Sequence, residues 1–266
     1  MNRPVMFLHG GNVGGWIWEP QVAALSDRLT LAPDLPGYRS RREDPWISFD
    51  AVADRLVDVI DEEVGQSVDL VGLSLGGITA LHLASRYPDR VASVFVTGAS
   101  VLPYTWAMRA ANRVALAVWN RRFYWVGTAR QFGLRGADAE DFLAVTPPVT
   151  RENIRQQLAE VYPGGLIASE RITAPLMAVA GEKETAYFHD SLRVIRAGAP
   201  RATTGLAPGM HHAWNGEDPE LFNRILRTWL EERAAHPDLL PLPGDAAGQR
   251  RRATAASGRR SSRRSV

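Results

Sequence analysis

The sequence predicts an open α/β sheet, mostly parallel and of about six strands, flanked by helices and carrying a helical insertion. Three observations lead there. Short apolar, β-branched runs alternate with longer amphipathic segments along most of the 266 residues, the alternation that builds a parallel sheet covered on both faces. Residues 100–170 break that rhythm with helical stretches and no strand pattern. And in "VGLSLGGITA", residues 71–80, a serine stands between two glycines where a strand run gives way to a helical one.

Taken in order, "VMFL" (5–8) and "LTLAP" (29–33) are the first two strands. Phe49, Val52, Leu56, Ile60 and Val64 then recur at helical spacing, with Asp50, Asp54, Asp58 and Asp61 on the other face. "VDLVGL" (68–73), "VASVFVTG" (91–98) and "PLMAVAG" (175–181) are further buried strands, and the weaker "RATTGLA" (201–207) is the last. Asp218–Pro219 supplies a cap and a first-turn proline for a final helix striped with Leu221, Phe222, Ile225, Leu226, Trp229 and Leu230. The divisions are therefore a core of residues 1–99 and 171–236, an insertion of residues 100–170, and a tail of residues 237–266. Gly127, Gly133, Gly136, Pro147–Pro148 and Pro163–Gly164–Gly165 punctuate the insertion, which is too long for a single crossover.

The net charge of +2 hides an uneven distribution. From Pro237 onward there are seven Arg and two Asp, net +5, so residues 1–236 carry −3. That tail is too polar to pack and is expected to be a disordered, solvated extension rather than a nucleic-acid or membrane contact. The absence of cysteine excludes disulfides, thiolate metal sites and a cysteine nucleophile. With no leader pattern and no uncharged apolar run of about 20 residues, the expected compartment is the cytoplasm. No cofactor, metal or nucleic acid is called for, and oligomeric state is not legible.

Ser74 ends a strand run and opens a helical one, the context in which G-x-S-x-G carries chemistry. A sharp turn with unfavourable backbone angles leaves no room for neighbouring Cβ atoms, hence glycine at 72 and 76. The helix N-terminus adds partial positive charge where an anion develops. A serine hydroxyl also needs a base. His211 and His212 lie in "APGMHHAWNGEDPELF", a loop on the same sheet edge as Ser74, where open α/β sheets gather their sites. The base needs a carboxylate, and "EKETAYFHD" after the strand 175–181 offers Glu182, Glu184 and Asp190. For an oxyanion hole, "FLHGGNVGGW" can turn the Gly11 N–H inward to join that of Leu75.

With "HGG" after the first strand, "DLPGY" at 34–38, "GLSLGG" at 72–77, "GEKE" at 181–184 and "HHAW…DP" at 211–219, residues 5–235 resemble the α/β-hydrolase superfamily. The likeness is to its cap-bearing serine hydrolases: esterases, lactonases and C–C hydrolases. The resemblance implies Ser74 as nucleophile, His212 as base, Glu184 as acid, and Gly11 and Leu75 as oxyanion donors. His212 rather than His211 matches because the family histidine stands seven residues before the proline, here Pro219. The sequence departs from the family in three ways. Glu184 replaces an aspartate, Arg39 replaces a glycine and is expected to narrow the mouth, and the usual N-terminal hairpin is missing.

The resemblance makes residues 100–170 a helical cap over the site. Its Trp106, Trp119, Phe123, Tyr124 and Trp125 suit a medium-sized apolar or aromatic substrate. Trp106, Trp119, Trp125 and Trp214 are the expected substrate contacts. On the first cap helix Met108, Ala111, Ala115 and Val118 form the inward stripe, with Arg109 and Arg113 on a solvated face. The expected reaction is hydrolysis of an ester, lactone or related acyl bond through an acyl-enzyme. A lyase or acyltransferase on the same triad stays open, as does a non-catalytic ligand-binding protein.

Overall fold

The structure, a computed structural model, describes residues 2–119, 121–131, 136, 139–140, 142–143, 149–164 and 167–243. Gly133, Pro147–Pro148, Gly165 and most of the basic tail lie outside these residues. The strands are β1 Val5–Leu8, β2 Thr30–Leu31, β3 Val68–Leu73, β4 Val91–Thr97, β5 Leu176–Gly181 and β6 Ala202–Ala207. They form one sheet in the order β2-β1-β3-β4-β5-β6, every pair parallel. All six sequence-predicted strands are present. β2 is cut to two residues because it is the half-buried edge, whereas β1, β3 and β5 are buried throughout, as their unbroken apolar runs require.

Helices cover both faces. α1 Glu19–Ala24 and α2 Phe49–Glu63 are followed by α3 Leu75–Arg86, which leaves β3 directly. Ser48 caps α2 by accepting the Ala51 N–H, and the stripe Phe49, Val52, Leu56 and Ile60 is buried as predicted. α4 Trp106–Ala117, α5 Arg122–Gln131 and α6 Arg151–Val161 belong to the insertion, and α7 Ala186–Gly198, α8 Trp214–Glu217 and α9 Pro219–Glu232 complete the core. Asp218 caps α9 through the Leu221 N–H, and the predicted α9 stripe is buried against Trp18, Phe95 and Trp214. Fully burying such large side chains contributes roughly 1.5–3 kcal/mol each.

One domain expectation changes. The predicted tail does not begin at 237. Leu240 exchanges two backbone hydrogen bonds with Leu206 on the edge strand β6, at 2.8 and 2.9 Å, and Leu242 is buried. The leucines of "DLLPL" thus cover an otherwise open strand edge before the charged residues begin. The insertion is also tied to the core by a polar face of α6. Asn153 accepts the Trp46 N–H at 3.0 Å, and Glu160 accepts the Phe49 N–H at 2.8 Å and the Trp46 Nε1–H at 3.3 Å. Tyr38 donates to Gln157 Oε1 at 2.8 Å. Positions 153, 157 and 160 fall on one helical face, so this wall of the cap is bolted down along its length.

Candidate active site

β3 ends at Leu73 and α3 begins at Leu75, leaving Ser74 alone to turn the chain, at φ 52° and ψ −114°. That is a strained conformation for a residue with a side chain. It is held by Ser74 N–H to Thr97 O at 2.9 Å and by Ile78 N–H to Ser74 O at 3.0 Å. The flanking glycines are there because the chain crosses itself closely. A Cβ on Gly76 would come within 2.1 Å of Leu8 O, and one on Gly72 within 2.5 Å of Gly76 O. Although Ser74 sits at the N-cap of α3, its hydroxyl makes no capping bond. The first N–H groups of α3, that of Leu75 among them, have no carbonyl within the helix to bond. Their dipole favours an anion at this point.

The residues expected as acid and base, Glu184 and His212, meet at the end of β4, against Gly98 and one residue on from the Thr97 carbonyl that holds the Ser74 amide. His212 Nδ1 lies 2.5 Å from Glu184 Oε1, and Glu184 Oε2 accepts the Gly181 N–H at 2.8 Å. The carboxylate is buried (3% exposed) while the imidazole is 31% exposed. The extra methylene of glutamate is absorbed within the 181–184 turn, where Glu184 N–H also bonds Gly181 O at 3.1 Å. The competing residues are engaged elsewhere. Glu182 accepts the Gly209 N–H, Asp190 pairs with Arg193, and His211 bonds Glu217 at 2.8 Å on the surface.

Sequence reasoning missed how the end of β4 joins these parts. Thr97 O holds the Ser74 amide, and Thr97 Oγ1 accepts the Trp214 Nε1–H at 2.7 Å under the histidine loop. The next residue, Gly98, has φ +59°, and a Cβ there would sit 2.6 Å from His212 Cε1. Any side chain at 98 would push the imidazole away. The glycine in "VTGAS" was the available signal.

Gly11, Ser74 and Leu75 together line a cavity of about 210 Å³. The core adds Tyr38 and Ile78, and the insertion adds Leu116, Trp119, Tyr124, Ile154 and Val161. No charged side chain is among the described residues of its wall. A second apolar cleft, about 290 Å³, opens between Val13, Trp16 and Ile17 on one side and Leu73 and Ala213 on the other. It therefore reaches the chain neighbours of both Ser74 and His212.

The loop bearing Gly11 is fixed by a buried histidine. His9 Nε2 accepts the Leu35 N–H at 2.9 Å, which leaves Nδ1–H to donate to Gly10 O at 2.7 Å. Burial pulls its pKa down to about 4. The unfolded chain therefore takes up a proton near pH 6.5 that the folded chain refuses until about pH 4. Stability is expected to fall as pH drops through that window, by roughly 3 kcal/mol at most. Urea titrations between pH 4 and 7 should show this slope, and His9→Gln should lack its share of it. Asp34 steadies the neighbouring turn. Burial pushes its carboxyl up, but Ser40 and the Gly15 N–H together outweigh that and hold it below its usual range.

The four tryptophans divide. Trp119 lines the cavity and donates to Val149 O at 2.6 Å. Trp125 is buried behind it, edge-on at 4.9 Å and donating to Trp119 O, so it supports the wall without forming it. Trp106 is 84% exposed on the outer face of α4, and Trp214 is fully buried beneath the histidine loop. Neither Trp106 nor Trp214 is a cavity contact. Both corrections have one cause: spacing does not reveal which way a helix is rolled. The same holds for α4, whose cavity-facing residues are Asn112, Ala115 and Leu116, so that of the expected stripe Ala115 lines the cavity and Met108, Ala111 and Val118 do not. Arg109 lies outside as expected, over the Tyr162 ring and bonded to Tyr162 O. Arg39 does not narrow the cavity. It adopts φ 39° where the family has glycine, and its side chain packs at Gly14.

Among the described residues no helix is long and apolar enough to cross a membrane. In comparisons with known proteins, the pattern of the alpha/beta hydrolase family matches residues 5–225. Over 105 residues the chain is 35% identical to 2-hydroxymuconate semialdehyde hydrolase of Pseudomonas sp. (strain CF600), covering 36% of each protein. The matched part spans about a third of the length of this and other such curated relatives. A longer match, 28% identical over 252 residues, is to the putative carbamate hydrolase RutD of Pantoea ananatis (strain LMG 20103), covering 87% of this chain and 89% of that one. Among solved structures, a thermophilic esterase from Thermogutta terrifontis superposes with a TM-score of 0.72 at 19% identity, over 87% of this chain and 90% of that one. The enol-lactonase of Burkholderia xenovorans LB400 gives 0.69 at 19% identity, over 87% and 92%. At such identity these two show the fold alone. With the family pattern covering nearly all of the core and cap, the chain belongs to the alpha/beta hydrolase family.

Proposed function

We propose that the protein is a serine hydrolase that cleaves an ester, lactone or related acyl bond of an apolar or aromatic small molecule through an acyl-enzyme on Ser74. The observation that carries this is a strained serine without a capping bond on the wall of a neutral cavity, its amide held by Thr97 O, while a histidine paired to a buried carboxylate at 2.5 Å packs against the next residue, Gly98. Ser74 Oγ attacks the carbonyl carbon and its proton passes to His212 Nε2, the nitrogen left over once Nδ1 faces Glu184. The oxyanion is met by the N–H groups of Gly11 and Leu75. Collapse expels the leaving group, which takes the proton from His212. Water, deprotonated by the same nitrogen, then releases the acid and restores Ser74.

Two clefts reach Ser74 or its neighbours, as an acyl part and a leaving group need. The cavity of about 210 Å³ lies below the ~300–1,000 Å³ common for small-molecule sites, so the enclosed part of the substrate is modest. The names of the curated relatives, an esterase, a lipase and a putative carbamate hydrolase among them, agree with this reading. A panel of p-nitrophenyl esters and aromatic lactones tests it. The parent protein should hydrolyse members with short or aromatic acyl groups and show a burst of nitrophenolate, and Ser74→Ala should hydrolyse none. Equal turnover by both proteins would reject the proposal.

A further inference from the structure

Among the described residues, the wall of the cavity that contains Ser74 carries two asparagines, Asn12 and Asn112. Asn12 is accounted for by its backbone, since a φ of 67° is a left-handed conformation that asparagine tolerates better than most residues. Asn112 has no such reason. It lies mid-way along α4, a helix otherwise rich in alanine and already capped by Thr105, where asparagine is one of the poorer helix formers. Its carboxamide makes no hydrogen bond among the described residues, and neither its oxygen nor its nitrogen is buried. Both atoms are open to a ligand. The helix fixes which way they face. Asn112, Ala115 and Leu116 lie one turn apart on a single face, and all three line the Ser74 cavity. The hollow on the outer side of α4 is lined instead by Trp106, Arg109, Ala110 and Arg113, without Asn112.

Asparagine offers two N–H donors and a carbonyl acceptor without a charge. Other polar groups of the wall are already engaged: the Tyr38 hydroxyl bonds Gln157, and the Ser100 hydroxyl meets those of Tyr104 and Tyr187. The wall is uncharged, so a carboxylate would lose its hydration without gaining a counter-charge. A plain alkyl chain would strip water from the carboxamide and return no hydrogen bond. Resting on the serine hydrolase reading, we propose that Asn112 selects the substrate by bonding a neutral oxygen, a carbonyl or a hydroxyl, on the part of the molecule that lies against the cap. The favoured esters and lactones are oxo- or hydroxy-substituted, not plain alkanoates or dicarboxylates. The helix gives up a little stability to hold an asparagine there, the exchange expected at a binding residue.

Two pairs of near-isosteres test this: p-nitrophenyl 5-oxohexanoate against 5-methylhexanoate, and p-nitrophenyl 6-hydroxyhexanoate against heptanoate. The parent should favour the polar member of at least one pair by about 3- to 10-fold in kcat/KM. Which pair responds tells carbonyl from hydroxyl. In Asn112→Leu, and in Asn112→Ala as a second variant, the preference should collapse to one or reverse. Asn112→Ala should melt no lower than the parent, because alanine suits the helix better. A parent with no preference in either pair, or a preference that survives both substitutions, overturns the proposal. So does a uniform loss on all four esters with a lower melting temperature, which would make Asn112 a structural residue. Binding separates this from catalysis. If no ester is turned over, the methyl esters of the same acids are titrated into the parent and tryptophan quenching is followed, since Trp119 shares the cavity wall. Tighter binding of a polar member, lost in Asn112→Leu, would then reject the hydrolase reading and keep the Asn112 assignment. Equal binding within both pairs would reject the two together.

Discussion

His212→Ala is expected to lower kcat/KM for a p-nitrophenyl ester by about 10⁶-fold, the scale seen when a triad base is removed. Without an acceptor for its proton the Ser74 hydroxyl stays a poor nucleophile, and the leaving group loses its acid as well. His211→Ala is the control, and it is chemically the same substitution one residue away. His211 is exposed and bonded to Glu217 through both its backbone N–H and its ring, so its loss should change turnover by only a few-fold. The contrast is decided by position alone. If the two variants exchanged phenotypes, the roles in this loop would be shifted by one residue. Steady-state kinetics at pH 7 to 8 with active-site titration is sufficient to tell.

Glu184→Gln is the second large effect, a loss of about 10³–10⁴-fold. The substitution preserves shape but offers an amide that can donate to Nδ1 and so favour the wrong tautomer. It also removes the negative charge that stabilises imidazolium in the transition state. Because Glu184 Oε2 holds the Gly181 N–H, some loss of stability accompanies it, and melting curves should separate that from the catalytic loss. Glu182→Gln and Asp190→Asn should stay within a few-fold of the parent. The first braces the turn at Gly209 and the second faces Arg193, both away from the imidazole. Residual activity near the parent's in Glu184→Gln, with collapse in either of the others, would reassign the acid.

Much of this was legible in the sequence because it is governed by local rules. The strands read as apolar runs since both faces of the sheet are covered, and even the weak run at 201–207 forms β6. Ser74 was legible because its turn excludes side chains at 72 and 76. What escaped depends on how distant parts meet. The Tyr38–Gln157 bond joins residues 119 apart, and nothing in either segment announces it. Gly98 gains its role only when His212 arrives against it. Trp106 and Trp119 look alike in sequence, and only the roll of α4 and the turn after it sends one to solvent and the other to the cavity. The leucines at 239, 240 and 242 were swept into a polar tail by composition, although an unpaired edge strand was waiting for them.

The central claim is that a single serine is activated for covalent attack. A fluorophosphonate reagent followed by peptide mass spectrometry tests it most directly, since the adduct forms only where a serine, its base and an oxyanion site coincide. The account predicts one equivalent of label on the peptide containing Ser74, no label in Ser74→Ala, and strongly slowed labelling in His212→Ala. Label on any other residue, or equal labelling of Ser74→Ala, would contradict it.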